Sequence, residues 1–230
     1  MRKEKLRKRR LRRSHLHDGA LLLSMASGWL MTPTSLVIGG VVFVVGFAVQ
    51  VWSKAALRRN RELSRRGPYA LCRHPFYLGN ALFDLSLCLM SGNWALVALY
   101  PFAFYWAYSP TILKEELYTR KLFGAAHRDY CRTTCLIFPF TKRFWADWRT
   151  PLSWRVLLAE KEVSRGIRHL SYPLLIWISW YLLRNPKGLE VAARVKSAMV
   201  WQGVWVAVAF VTSALVHRWF ERAPAAQPES

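Results

Sequence analysis

The chain has 230 residues, 53% of them hydrophobic, and its 34 Lys+Arg against 13 Asp+Glu give a formal net charge of +21. That apolar content excludes intrinsic disorder, and four cysteines in this length are too few for a small disulfide scaffold. A nucleic-acid binder with a large core and an integral membrane protein remain, and the placement of the charges separates them.

The charges fall in blocks. Residues 1–13 are almost all basic, a second block carries Lys54, Arg58, Arg59, Arg61, Arg65, Arg66 and Arg73, and a third runs from Lys114 to Arg168. Between them, Leu36–Trp52 and Trp94–Leu113 contain no charge. Apolar runs of about 18–20 residues read as transmembrane helices. The aromatic residues lie inside these runs rather than among the basic blocks, so no nucleic-acid partner is expected.

In chain order, residues 1–14 form a basic arm. Its reading is a topology determinant, with attraction to anionic lipids as a second role. A first span is predicted over about Ala20–Thr32, starting near His15 and broken by Pro33. The second covers about Leu36–Trp52 and the third about Phe76–Met90, followed by a turn at Ser91-Gly92-Asn93. The fourth covers about Trp94–Leu113, with kinks at Pro101 and Pro110. The turns Thr32–Ser35 and Ser91–Asn93 carry no Lys or Arg, whereas every basic block falls on the other side. The positive-inside rule therefore puts the N-terminus and the blocks in the cytoplasm. Leu170–Leu183 (short, with Pro173) reads as a further span or as a re-entrant or interfacial segment, and Met199–Val216 as a better span. The fold class predicted is all-α: a polytopic transmembrane bundle of about five to six spans with its chemistry at the cytoplasmic face. The divisions are 1–14, a membrane core over 15–140, an extension over 141–222 that walls the acceptor cavity, and a disordered tail over 223–230.

Two cytoplasmic segments are dense in polar residues. The first, Gly67-Pro-Tyr-Ala-Leu-Cys-Arg-His-Pro-Phe-Tyr-Leu-Gly79, runs into the third span. Pro75 suits a helix start, and Arg73 and His74 just before it suit an anionic group at the positive end of the helix. Gly79 would let a ligand or another helix approach closely. The second, Lys114–Tyr130, opens with Glu115-Glu116 at the end of the fourth span. Paired carboxylates there need partners or a use, and Arg73 or Arg120 would pair them. Leu117, Thr119, Leu122 and Phe123 suggest a helix that Gly124 ends. Asp84, inside the third span, would touch an acceptor or pair with a polar neighbour. Cys131 and Cys135 are spaced C-x3-C and read as reduced structural thiols, so no metal site is expected.

The order G-P-Y-x-x-x-R-H-P-x-Y-x-G, then Glu115-Glu116, Phe123-Gly124, Tyr130 and Pro139, resembles the isoprenylcysteine carboxyl methyltransferase and phospholipid methyltransferase superfamily over about residues 36–140. Thr119 stands where that pattern usually has Leu, His127 where it usually has Tyr, and Asn80 breaks the G-x-G of some phospholipid enzymes. The resemblance implies an integral membrane enzyme that uses S-adenosylmethionine (SAM) as methyl donor. It implies a pocket lined by His74, Pro75, Tyr77, Leu78 and Gly79 and closed by Glu115 and Glu116, with Arg73 and Glu116 closest to the chemistry. The charges of the donor agree with this: its carboxylate suits Arg73 and His74, and its ammonium or ribose suits Glu115 or Glu116.

Methyl transfer is an in-line displacement that asks the protein for orientation and a dry site. A carboxylate or thiolate acceptor needs no strong base, whereas an ammonium must first lose a proton, for which His127 or a Glu is available. The acceptor is expected to be lipophilic and to enter from the bilayer: an isoprenylated cysteine, a phospholipid amine, another lipid hydroxyl or carboxyl, or a small thiol. The location expected is the inner membrane of a bacterium, with the active site cytoplasmic. The competing reading is an NADPH-dependent, sterol-reductase-like membrane enzyme, which shares an R-H-x-x-Y-x-G element. Pro75-Phe76 before Tyr77, where an Asn would suit a reductase, favours the methyltransferase.

Overall fold

The computed structural model describes residues 13–57, 62–139, 147–149 and 162–184. The basic arm up to residue 12, the expected span at Met199–Val216 and the tail lie outside the described residues. The chain divides into two compact units, Met1–Leu152 and Ser153–Ser230. Among the described residues every regular element is helical, as expected.

The first unit opens with α1, Arg13–Ala26. This is earlier and shorter than the span read from sequence. Ser27 ends it by turning its hydroxyl onto the Leu23 carbonyl (2.9 Å), and a short 3-10 turn at Gly28–Leu30 follows. At about 1.5 Å per residue, fourteen residues cover roughly 21 Å, less than the ~30 Å hydrocarbon layer. α2, Pro33–Ala55, starts at a capping box: the Thr32 side chain accepts from the Ser35 amide (3.0 Å), and the Ser35 hydroxyl accepts from the Thr32 amide (2.9 Å). Pro33 takes the first helical position, where its missing N–H costs nothing.

After the four-residue helix α3, Pro68–Leu71, come α4, Pro75–Met90, and α5, Trp94–Thr133. Asn93 caps α5 by accepting from Ala95 and Leu96 and donates its amide to Ser27 (3.1 Å), tying the turn to the end of α1. α5 runs through Pro101 and Pro110, and its only non-helical backbone is at Gly124 (φ 51°, ψ −116°). Gly124 therefore bends the helix where the sequence suggested an end. Two helices are long and apolar enough to cross a membrane among the described residues, α2 and α5. α4 is apolar but shorter. The second unit contributes α6, Glu162–Arg184, whose last four turns, Pro173 among them, cover the predicted Leu170–Leu183 segment.

α2 and α4 are held by close backbone approach. Gly39, Phe43, Gly46, Gln50 and Ser53 are buried along one seam of α2. The opposite face exposes Val37, Val41, Val44 and Val45, an outward apolar stripe that suits lipid. A methyl group on Gly46 would lie 3.0 Å from the Phe83 amide nitrogen, and one on Gly79 would lie 2.9 Å from the Gln50 amide nitrogen and 3.0 Å from the Gly46 carbonyl oxygen. Small residues at crossing helices are the device by which apolar helices pack when water supplies no driving force between them. One buried polar pair fixes the register: Gln50 Nε2 donates to Asn80 Oδ1 at 2.6 Å.

Asp84, fully buried on α4, pairs with a neighbour rather than waiting for an acceptor. His17 Nδ1 of α1 bonds its Oδ1, and the Tyr100 hydroxyl donates to its Oδ2 (3.3 Å). His17 Nε2 in turn meets the Tyr108 hydroxyl at 3.1 Å. A carboxylate in an apolar assembly needs such partners.

The α2–α4 seam generates a prediction. Gly79→Ala is expected to destabilise by roughly 1–3 kcal/mol, because the α2 backbone at Gln50 and Gly46, as well as the Gln50 side chain, occupies the space. Gly40→Ala, with nothing within 4 Å, is expected to be neutral or stabilising through helix propensity. Thermal unfolding of both variants in detergent tests the contrast.

Candidate active site

The site assembles where α4 begins and α5 continues past its apolar part. Gly67 enters α3 with φ 63°, a left-handed conformation that favours glycine, and its amide bonds the Asp147 carbonyl (2.8 Å). The two residues before Pro75 are then stitched to the segment after α5: Arg73 N–H to Cys135 O (2.9 Å) and His74 N–H to Leu136 O (3.0 Å). Tyr130 reinforces this by donating its buried hydroxyl to the Tyr69 carbonyl at 2.5 Å. The first motif is thus clamped by backbone to the end of the second.

Side chains complete the junction. Glu116 Oε1 accepts from Arg73 Nε (3.2 Å) and meets His74 Nε2 (2.8 Å). Arg73 Nη1 donates onward to the carbonyls of Cys131 (3.3 Å) and Thr134 (3.0 Å). Glu115 accepts from the Tyr77 hydroxyl (2.5 Å) and lies 3.8 Å from His74 Nδ1. Tyr77 is buried against Ala107, Tyr108 and Ile112, so a core residue aims one carboxylate. Glu115 is half exposed, while Arg73, His74 and Glu116 are mostly covered. Burial would raise the Glu116 carboxyl, but its hydrogen bond with His74 and the charges of Arg73, His74 and His127 outweigh it and hold it below the ordinary carboxylate range.

Of the residues expected at the site, Arg73, His74, Tyr77, Glu115 and Glu116 form this one cluster. Pro75 opens α4 at its edge. Leu78 is partly buried, and the side of Gly79 without a side chain is filled by Gln50 and the α2 backbone, the helix approach of the two possibilities. Of the two expected cations, Arg73 takes Glu116.

Two further side chains reach Glu116. His127 Nε2 lies 3.6 Å from Glu116 Oε2, and Cys131 Sγ lies 3.8 Å from the same oxygen. Eleven residues along a straight helix would separate positions 116 and 127 by about 16 Å. The bend at Gly124 brings them together. Only the i, i+4 spacing of His127 and Cys131 hinted in the sequence that they share a face. Burial, reinforced by Arg73, His74 and Arg120 against the opposing charge of Glu116, holds His127 below the usual imidazole value.

Part of the sequence that builds this cluster matches known proteins. Residues 34–126 match the phospholipid methyltransferase family. That family belongs to the isoprenylcysteine carboxyl methyltransferase-like superfamily of membrane methyltransferases, the resemblance carried by the two motifs. Outside this methyltransferase match, two curated relatives are named for metals. The chain is 31% identical to the cobalt-zinc-cadmium resistance protein CzcN of Cupriavidus metallidurans over 49% of its own length and 52% of the relative's. It is 34% identical to the nickel-cobalt-cadmium resistance protein NccN of Alcaligenes xylosoxydans xylosoxydans over 36% of its length and 38% of the relative's. The chain thus spans about half or less of the length of these relatives. No solved structure gives a significant match.

Two predictions come from this geometry. Because the Glu116 carboxyl is held below its ordinary value, its ionised form stabilises the fold above pH 4.5, and that contribution is lost as pH falls through the folded-state value. The Tm of the wild type should exceed that of Glu116→Gln at neutral pH, and the gap should close under acid; a gap independent of pH would contradict the pairing. Gly124→Ala must place a side chain at φ 51°, at a cost of about 1–2 kcal/mol. Its Tm should fall although nothing lies within 4 Å of the added methyl.

Proposed function

We propose that the chain is an integral membrane methyltransferase that moves a methyl group from SAM to a lipophilic acceptor. The observation that carries this reading is the convergence of the two family motifs, distant in sequence, on one ion-paired cluster at the charged end of apolar helices. SAM, when bound, supplies an electrophilic methyl on a sulfonium. The residues present fit its amino-acid end: Arg73 offers a cationic donor and His74 a ring N–H to a carboxylate, and Glu115, half exposed with Tyr77 at one oxygen, offers an acceptor to an ammonium or a ribose hydroxyl. Glu116 holds Arg73 and His74 in place. The backbone clamp from Tyr69 to Leu136 fixes these groups before any ligand arrives, the preorganisation that orientation-driven catalysis needs.

In this reading α2, the apolar part of α5 and the shorter α4 lie in the membrane. The acceptor enters between apolar faces, and the basic arm and the site face the cytoplasm of a bacterium beside anionic lipids. The acceptor is a lipid or an isoprenylcysteine-like carboxylate. The metal-resistance names of the two relatives support a role for this activity in heavy-metal tolerance. Neither the comparisons nor the cluster favours the reductase.

The test is to incubate purified protein with methyl-labelled SAM and a total membrane extract and to count label in organic, protein and volatile fractions. Label in one fraction, lost with Glu116→Ala, is expected. No label together with no stabilisation of the protein by SAM or its demethylated product would overturn the reading.

A further inference from the structure

Glu116 has two oxygens, and the cluster described above engages one of them. Oε1 takes Arg73 and His74, whereas Oε2 faces His127 and Cys131. His127 Nε2, Cys131 Sγ and Glu116 Oε2 form a triangle with edges of 3.6, 3.7 and 3.8 Å. These are one nitrogen, one sulfur and one carboxylate oxygen, all within 4.8 Å of one another. In a tetrahedral zinc-type site, bond lengths of about 2.0–2.3 Å place a nitrogen and an oxygen ligand roughly 3.4 Å apart and either of them roughly 3.6 Å from sulfur. Each observed edge lies within about 0.2 Å of that geometry, and because Cys131 Sγ is 3.7 Å from both His127 ring nitrogens, a turn of the imidazole would aim Nε2 at a shared cation.

We propose that Glu116, His127 and Cys131 form a binding site for a borderline-soft divalent cation of the zinc and cobalt type, with a fourth position open to water. A thiolate and an imidazole select this class over magnesium or calcium, which take oxygen ligands. Binding forms a metal–sulfur bond at the expense of the Cys131 S–H, whose proton passes to solvent; nothing is oxidised or reduced. The helix bend makes the site. His127 and Cys131 are one turn apart on the segment after Gly124, and that bend folds them back onto Glu116. Arg73 stays compatible with a second cation because its Nη1 is turned onto the Cys131 and Thr134 carbonyls. His74 and Arg73 orient the carboxylate from its other oxygen, the outer support that metal-binding carboxylates commonly have. The site stands apart from the methyl-transfer reading, although the two share one carboxylate, so occupancy by metal acts directly on the group that holds Arg73 and His74.

The experiment is a titration of the full-length protein in detergent, stripped of metal by chelator, with Co²⁺ as the probe. One equivalent should produce a thiolate-to-cobalt charge-transfer band and the intense visible bands of four-coordinate cobalt, and should raise Tm. Cys131→Ser should lose the charge-transfer band, His127→Ala should weaken binding by about tenfold or more, and Cys135→Ser, a change at an exposed position, should keep both signals. The metal-free Tm of each variant shows whether it folds. No band with folded wild-type protein, a band that survives Cys131→Ser, or one abolished by Cys135→Ser would overturn the proposal. Because the readout is optical, it is independent of whether any methyl acceptor is found.

Discussion

One carboxylate organises the polar end of this protein. Glu116 sits where α5 leaves its uncharged stretch, and its neighbours Arg73 and His74 come from the segment that leads into α4. A mostly covered carboxylate is tolerable only when its charge is met, and here it is met by groups that are themselves fixed by backbone bonds to residues 135 and 136. The constraint is mutual. Removing the charge would leave Arg73 without its carboxylate and His74 with only the more distant Glu115, and displacing the clamp would pull Arg73 and His74 away from Glu116. The sharing of one oxygen by two donors therefore joins helix start, helix extension and the segment that follows into one unit.

The apolar part of the first unit explains why that unit can be held steady. Glycines on α2 and α4 bring two backbones close enough that the start of α4 has little freedom to shift, and the Gln50–Asn80 bond sets how far one helix can slide along the other. Tyr77 transmits this to the site, with its ring packed in the core and its hydroxyl on Glu115. Packing among apolar helices thus becomes positional accuracy at polar atoms a few ångströms away.

Much of this was legible in the sequence. Uncharged runs marked α2 and the first half of α5, Thr32-Pro33 marked a helix start, and the two motifs grouped Arg73, His74, Tyr77, Glu115 and Glu116, which the fold brings into one cluster. The sequence misled where a single residue changed direction. Gly124 reads as a stop, yet one left-handed residue lets the helix resume on a new axis, and only that new axis brings His127 and Cys131 to Glu116. Periodicity cannot carry a side chain around such a corner. The partner of Asp84 was hidden for a different reason: His17 lies in a stretch that looks like the flank of a span, and a pairing across 67 residues leaves no local pattern.

His17 also explains the first helix. At fourteen residues α1 is too short to find its depth by matching the thickness of an apolar layer. It is positioned instead by one imidazole that bridges the Asp84 carboxylate and the Tyr108 hydroxyl. A helix placed by its length can tilt or slide with little penalty, whereas one placed by a buried hydrogen-bonded pair has a single seat. For α1, chemistry replaces hydrophobic match as the gauge of depth, and any displacement strips a carboxylate of its partner.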